Sequence, residues 1–451
     1  MRVVRGDSEI LRRAAQYAQA GHYSQPQDGD LFSEISRTVD AIAANSPQYE
    51  CKDESAVITR LNIGNTYRCN MGCTYCYNEF SSKDKKGSQA KGGMSLDVSK
   101  RMIDTLIEQS EDEKNLSLVF IGGEPLLEKK VLFETVGYAK SEASKAGKTF
   151  GIAIYTNGTL MDMNTILWAN DQEVSIVVSL DGPPALNDKS RVFLNGKFTS
   201  KLVLKNIELL MRYSTNPLKR VRAVCENMSD LLPLHKYFLS LGFNEIHTQA
   251  LYDENGIADE QDFYDVANLI SWYKGLLLNG VVISVNPFDH VMQRLAMQGA
   301  SVTSWYPCTA GRSSVGVHQN GDVYPCHHFF EEDGFKIGNV MDGLPSKADR
   351  RPYFKRVDKR EPCSSCWAKY LCGGECYHRA HTNNVGYDGV LTETCKKRKA
   401  ILGLIIDMFA DIVVQKPEVI KDLVTGQYSQ MTPEQGIFNI ENLDDFVSQD
   451  R

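Results

Sequence analysis

The sequence predicts an α/β fold in which a parallel sheet of six strand–helix units precedes a cysteine-rich C-terminal region. Three observations predict it. Short apolar runs alternate with longer helical segments between residues 57 and 251. Polar or glycine-bearing turns close several of those runs, where a parallel fold gathers its chemistry. Seven of the 12 cysteines fall at or after residue 308 in patterned spacings.

In order, Val57 to Ile63 reads as a buried strand and runs into a loop with cysteines at 69, 73 and 76. Residues 81–93 are rich in Lys, Gly and Ser and read as a surface linker. Ser95 is an N-cap for a helix to about Ser110. A strand over 116–121 ends in Gly122-Gly123-Glu124-Pro125, and a helix over 128–147 follows. The strand over 150–155 ends in Thr156-Asn157-Gly158-Thr159-Leu160; after another helix, the strand over 174–180 ends in Asp181-Gly182-Pro183. Helices over 201–213 and 231–241 separate strands over 221–225 and 245–251. Crossover helices between sequential strands make such a sheet parallel. Helical segments over 261–278 and 288–297 bridge to the C-terminal region, where Asn320-Gly321 turns a hairpin that draws Cys308 and Cys326 together. The expected organisation is a helical extension (1–55), a strand–helix core (56–255), bridging helices (256–300), a cysteine-rich domain (301–397), and a helix and tail (398–451).

The loop Cys69-Asn70-Met71-Gly72-Cys73-Thr74-Tyr75-Cys76 carries three thiols at C-x3-C-x2-C. Three thiolates hold three irons of a [4Fe–4S] cluster and leave the fourth iron open. A zinc site would take a fourth protein ligand, which this loop lacks. The motif resembles the signature of the radical S-adenosylmethionine (SAM) enzymes. The resemblance covers roughly residues 56–397 and implies a partial (β/α)6 radical SAM barrel. It also implies a SAM molecule chelated by the open iron and cleaved to a 5′-deoxyadenosyl radical. In the family the aromatic residue before the last cysteine, here Tyr75, lies over the adenine. Gly122, Gly123 and Glu124 match the segment that binds the SAM amino group. Thr156, Asn157, Ser179 and Asp181 match the turns around SAM, and Arg191 matches an arginine near its carboxylate. These residues also suit plain turn and capping roles, since Asn-Gly and Asp-Gly are favoured turn dipeptides.

The C-terminal spacing Cys308-x12-Gly321-x4-Cys326, Cys363-x2-Cys366-x5-Cys372-x3-Cys376 and Cys395 resembles the SPASM domain of peptide- and protein-modifying members. The resemblance implies two auxiliary [4Fe–4S] clusters, three in all. One would use Cys363, Cys366, Cys372 and Cys395, the other Cys308, Cys326 and Cys376. A pair of zinc ribbons is the bland alternative, and it would need eight ligands. Two departures from the sulfatase-maturing members stand out: Ser314 replaces a further cysteine, and His327 replaces the aspartate after Cys326. The first Cys308-type cluster therefore has an open iron or a non-cysteine ligand, with His318, His327 and His328 nearby in sequence.

These departures lead to a maturase that cross-links a short ribosomal precursor peptide through a thioether or a carbon–carbon bond. The rivals are sulfatase-maturing-type oxidation of a protein side chain and dehydrogenation of a small molecule. The family implies a flavodoxin- or ferredoxin-type electron donor. A net charge of −7 gives no reason to expect nucleic acid, and the basic run 347–360 reads as a solvated face. No secretory h-region is visible, the apolar stretch 401–414 is too short for a bilayer, and the expected location is cytoplasmic. Patterned cysteines there point to metal rather than disulfides, with Cys51 and Cys225 as ordinary buried thiols.

Overall fold

A computed structural model describes residues 57–76, 92–250, 260–297 and 304–430, apart from 333, 351, 352 and 354. The extension over 1–55, Cys51, most of the linker over 81–93 and the tail beyond 430 lie outside these residues.

The described chain alternates β1 (Arg60–Ile63), α1 (Leu96–Gln109), β2 (Asn115–Phe120), α2 (Lys129–Lys145), β3 (Thr149–Thr156), α3 (Met163–Asp171), β4 (Val174–Ser179), α4 (Pro184–Ser190), α5 (Ser200–Tyr213), β5 (Arg220–Cys225), α6 (Leu231–Ser240) and β6 (Glu245–Ala250). All neighbouring pairs from β1 to β6 are parallel. Ser95 caps α1 through a bond from the Val98 N–H, as its side chain and position led one to expect. Along β1 the side chains of Leu61 and Ile63 are fully buried while Arg60 and Asn62 face the other way, and β5 alternates likewise. Leu61 and Ile63 pack with Met102, Leu106 and Leu132 of the helices in one apolar core. The opposite, concave face therefore carries the polar set Arg60, Asn62, Arg222, His247 and Gln249.

Two features go beyond the six-unit expectation. Between α7 (Glu260–Leu278) and α8 (Phe288–Ala296), the short β7 (Ser284–Asn286) pairs parallel with β6 as a seventh barrel strand. Three residues are too few to show a period of two in sequence. The sheet also continues past β1: β8 (Ser314–Val317) pairs parallel with β1, in the register Arg60↔Ser314 and Asn62↔Gly316. The Asn320-Gly321 turn, with Gly321 at φ 89°, returns the chain antiparallel as β9 (Asp322–Tyr324). β10 (Gly338–Asn339) closes a ten-stranded sheet. The cysteine-rich region is thus joined to the barrel edge by backbone hydrogen bonds.

Beyond the sheet, α9 (Lys347–Arg350), α10 (Lys369–Cys372) and α11 (Tyr377–Thr382) precede α12 (Thr392–Gln415) and α13 (Glu418–Thr425). The basic run over 347–360 is a solvated face only in part. Arg350 and Arg360 are buried at 3% and 0% exposure, while Lys347, Lys355 and Lys359 stay exposed. Arginine accepts burial better than lysine because its flat fork bonds several carbonyls at once. Among the described residues no helix is long and apolar enough to cross a membrane.

Candidate iron–sulfur and SAM site

The loop of residues 64–76 leaves β1 and crosses the C-terminal ends of β2, β3 and β4. Gly122 and Gly123 allow the close approach. The Gly123 N–H donates to Thr66 O at 3.0 Å, and the Glu124 N–H donates to Arg68 O at 2.9 Å. A Cβ at Gly123 would lie 2.2 Å from Arg68 O, and Gly122 has φ +135°. Both glycines therefore serve the packing of the thiol loop itself.

Glu124 is fully buried, and the chain's own donors occupy it. One oxygen accepts from Leu126 N (3.0 Å) and Thr156 Oγ1 (2.8 Å), the other from Asn157 N (2.7 Å). Burial pushes its carboxyl pKa up, against these three bonds and the Arg191 charge. Its visible work is to fix the turn after β3. From that turn, Asn157 Nδ2 donates to Asn70 Oδ1 at 2.9 Å and lies 3.7 Å from Cys69 Sγ. Asn70 Nδ2 in turn donates to Thr159 Oγ1 at 2.8 Å. Asn70 and Thr159 escaped the sequence reading as site residues, because Asn70 marks itself only by flanking Cys69.

The end of β4 makes a second tie. Tyr75 donates its hydroxyl hydrogen to Asp181 and accepts from Arg191 Nη1 at 2.8 Å, with Arg191 and Asp181 3.9 Å apart. All three are largely buried, and the second Asp181 oxygen accepts from Val224 N at 2.9 Å. Burial raises the Asp181 and Tyr75 pKa values. Ser179, half-buried at the end of β4, sits opposite Arg222 in register. The structure thus gathers Cys69, Cys73, Cys76, Tyr75, Gly122, Gly123, Glu124, Thr156, Asn157, Asp181 and Arg191 around one loop. Burial raises the Cys69 thiol to about 12 and also raises Cys73, so a metal taken up here displaces protons.

Two further thiol sets follow. Cys363, Cys366, Cys372 and Cys395 line one small cavity with Glu375 and Arg398. Cys308, Cys326 and Cys376 are electrostatic neighbours of one another. Cys308 is exposed at the surface, and the surrounding protein raises its thiol to about 11. Among the described residues no three His, Cys, Asp or Glu side chains converge to hold a single metal ion. A cluster of several irons spreads its thiolates wider than one ion does. Sulfur-only donors, a cavity walled by four thiols and an amide beside Cys69 Sγ all suit such clusters.

Ser314 is buried on β8 and bonds Thr309 Oγ1 at 2.9 Å. A Cβ on Gly316 would meet His327 N at 2.9 Å and the Cys326 carbonyl carbon at 3.0 Å. Cys326 and His327 therefore lie directly on β8, with Arg222 and Arg60 close enough to bear on the His327 charge. His327 Nδ1 is 3.7 Å from Cys326 Sγ. His318 instead bonds Asn320 Oδ1 (2.6 Å) and faces Glu331 (3.3 Å).

Residues 65–233 match the radical SAM superfamily, and residues 308–367 match an iron–sulfur cluster-binding domain, SPASM. The chain is similar to the cysteine-type anaerobic sulfatase-maturating enzyme of Clostridium perfringens (strain 13), at 25% identity over 73% of this chain and 91% of that one. Among solved structures it is similar to anSMEcpe with bound AdoMet, at TM-score 0.68 and 20% identity over 82% of this chain and 99% of that one. It is also similar to SuiB of Streptococcus suis bound to the precursor peptide SuiA, at TM-score 0.54 and 14% identity over 85% and 87%.

Proposed function

We propose that this chain, a radical SAM enzyme with a C-terminal SPASM domain, removes hydrogen from a side chain of a peptide or protein segment. The observation that carries the reading is the β1–β8 pairing. It places Cys326 and His327 against the same sheet whose β1 launches the Cys69–Cys76 loop. A substrate side chain in the concavity would then lie between the two thiol sets.

In this reading Cys69, Cys73 and Cys76 hold the SAM-binding cluster, Cys363, Cys366, Cys372 and Cys395 an auxiliary one, and Cys308, Cys326 and Cys376 another. When bound, the first cluster and SAM supply a 5′-deoxyadenosyl radical, and auxiliary clusters can take up the electron the product must lose. The chain's own part is positional. Asn157 and Asn70 hold the Cys69 end of the loop, Tyr75, Asp181 and Arg191 hold the Cys76 end, and the partly exposed backbone at Gly122 and Gly123 would receive the SAM ammonium. Arg222 and His247 line the concave wall that a substrate would meet.

The sulfatase-maturating relative, matched over 91% of its length, favours oxidation of a cysteine or serine side chain over the cross-link that the sequence put first. The cross-link is the second reading, favoured by Ser314 and His327 at the positions where this chain leaves the sulfatase-maturing pattern. A flavodoxin- or ferredoxin-type protein is the expected reductant. The test incubates the anaerobically reconstituted enzyme with SAM, dithionite and synthetic peptides bearing cysteine or serine, then alkylates and weighs them. A carbonyl-reactive product supports oxidation; loss of two hydrogens together with one alkylatable thiol supports a thioether. The same incubation with Cys76→Ala should form no 5′-deoxyadenosine; persistent formation overturns the assignment of the first cluster.

A further inference from the structure

Arg360 is the largest fully buried side chain of the described residues, at 0% exposure. Among the described residues its guanidinium donates only to backbone carbonyls: Asp388 O (2.9 Å), Gly389 O (2.9 Å) and Glu375 O (3.2 Å). The acids around it are already paired. Glu375 accepts from Arg398 at 2.8 Å, and Asp388 pairs with Lys355 at 2.6 Å. A buried guanidinium without its own carboxylate is costly unless some other negative charge lies close.

A set of thiols lies on each side of it. Gly374, whose Cβ would sit 3.0 Å from Arg360 Nη1, also walls the Cys363–Cys395 cavity. The chain then runs through Glu375, whose carbonyl Arg360 holds, into Cys376 of the other thiol set. The Tyr377 ring lies 5.3 Å from the guanidinium carbon. Cys363 follows three residues after Arg360, and the Ser364 N–H donates to Arg360 O at 2.9 Å, so one turn carries both the guanidinium and a thiol of that cavity. Arg398, by contrast, lines the Cys363–Cys395 cavity and is paired with Glu375 at 2.8 Å.

We infer that Arg360 is a shared positioning charge between the two auxiliary cluster sites and raises the reduction potential of both. Each cluster gains one negative charge when it accepts an electron, with no bond made or broken, and a fixed cation in a low-dielectric interior stabilises the reduced form more than the oxidised one. This rests on the assignment of two auxiliary clusters.

The test uses full-length protein carrying Cys69→Ala, Cys73→Ala and Cys76→Ala, so that only auxiliary clusters load, with Arg360 either native or replaced. Iron content near eight confirms the clusters themselves; a content near zero with bound zinc overturns the underlying reading instead. Redox titration followed by electron paramagnetic resonance then reads the potentials. Arg360→Met should shift the reduction equilibrium of both clusters about tenfold towards the oxidised form, which is about 59 mV for a one-electron couple. Arg360→Lys should hold native potentials, and Arg398→Met should move one cluster only. Unchanged potentials in Arg360→Met overturn the inference. If that variant cannot load iron, Arg360→Lys decides: native potentials support the charge, and failure to load shows a purely structural role.

Discussion

Gly123→Ala should empty the first cluster site while leaving the other two intact. The added Cβ would lie 2.2 Å from Arg68 O and 2.7 Å from the carbonyl carbons of Tyr67 and Arg68. Relief to ordinary contact needs a displacement of about 1 Å. The bonds from Gly123 N to Thr66 O and from Glu124 N to Arg68 O would stretch, at about 1 kcal/mol each, with ~1–3 kcal/mol more for overpacking. Cys69 follows Arg68 directly, so the strain falls on the thiol loop. A shift of about 1 Å at a reacting centre costs on the order of 100-fold in rate. Anaerobic reconstitution should therefore give about eight irons in place of about twelve, with 5′-deoxyadenosine formation down by at least ~100-fold, to nothing where the site is fully empty. Gly137→Ala is the control. Within α2, a Cβ there meets nothing within 4 Å, so stability should rise by ~0.5–1 kcal/mol with iron unchanged. Full iron and normal SAM cleavage in Gly123→Ala would refute the packing account.

Two further predictions follow from the buried polar groups. Tyr75→Phe removes the hydroxyl that bridges Asp181 and Arg191; at ~1–3 kcal/mol for a buried charge-linked bond, SAM should bind roughly 5–150-fold more weakly by anaerobic calorimetry, and unchanged affinity would show the tie to be idle. His235 is fully buried, its Nδ1 2.7 Å from Leu231 O, and burial lowers its pKa to about 4. The unfolded chain, with a histidine pKa near 6.5, binds this proton first, so stability present above pH ~6.5 is lost as pH falls towards about 4. Roughly 1.5 kcal/mol should be gone by pH ~5.5, read as a urea midpoint difference from His235→Gln, whose own stability lacks this contribution; parallel midpoint curves for the two proteins would remove histidine 235 as the cause.

The local pattern of this chain was enough to determine much of it. Alternating apolar runs specify β1 to β6 because each strand has one face on the helices, and that periodicity is a local property. The thiol loop and its chemistry were legible for the same reason: Cys69, Cys73 and Cys76 occupy eight consecutive residues. Tertiary structure alone decided the rest. β7 is three residues long and leaves no periodic trace; the strand before the Asn320-Gly321 turn was expected, but its pairing with β1 across some 250 residues was not. Glu124 reads in sequence as a ligand carboxylate, yet the structure occupies it with the Thr156–Asn157 turn, since only the fold brings those donors to it. The clearest case is the basic run over 347–360. Spacing cannot tell a solvated arginine from a buried one, because burial depends on which carbonyls the fold delivers. At Arg360 it delivers those of Glu375, Asp388 and Gly389, and the charge is held inside, between two sets of thiols.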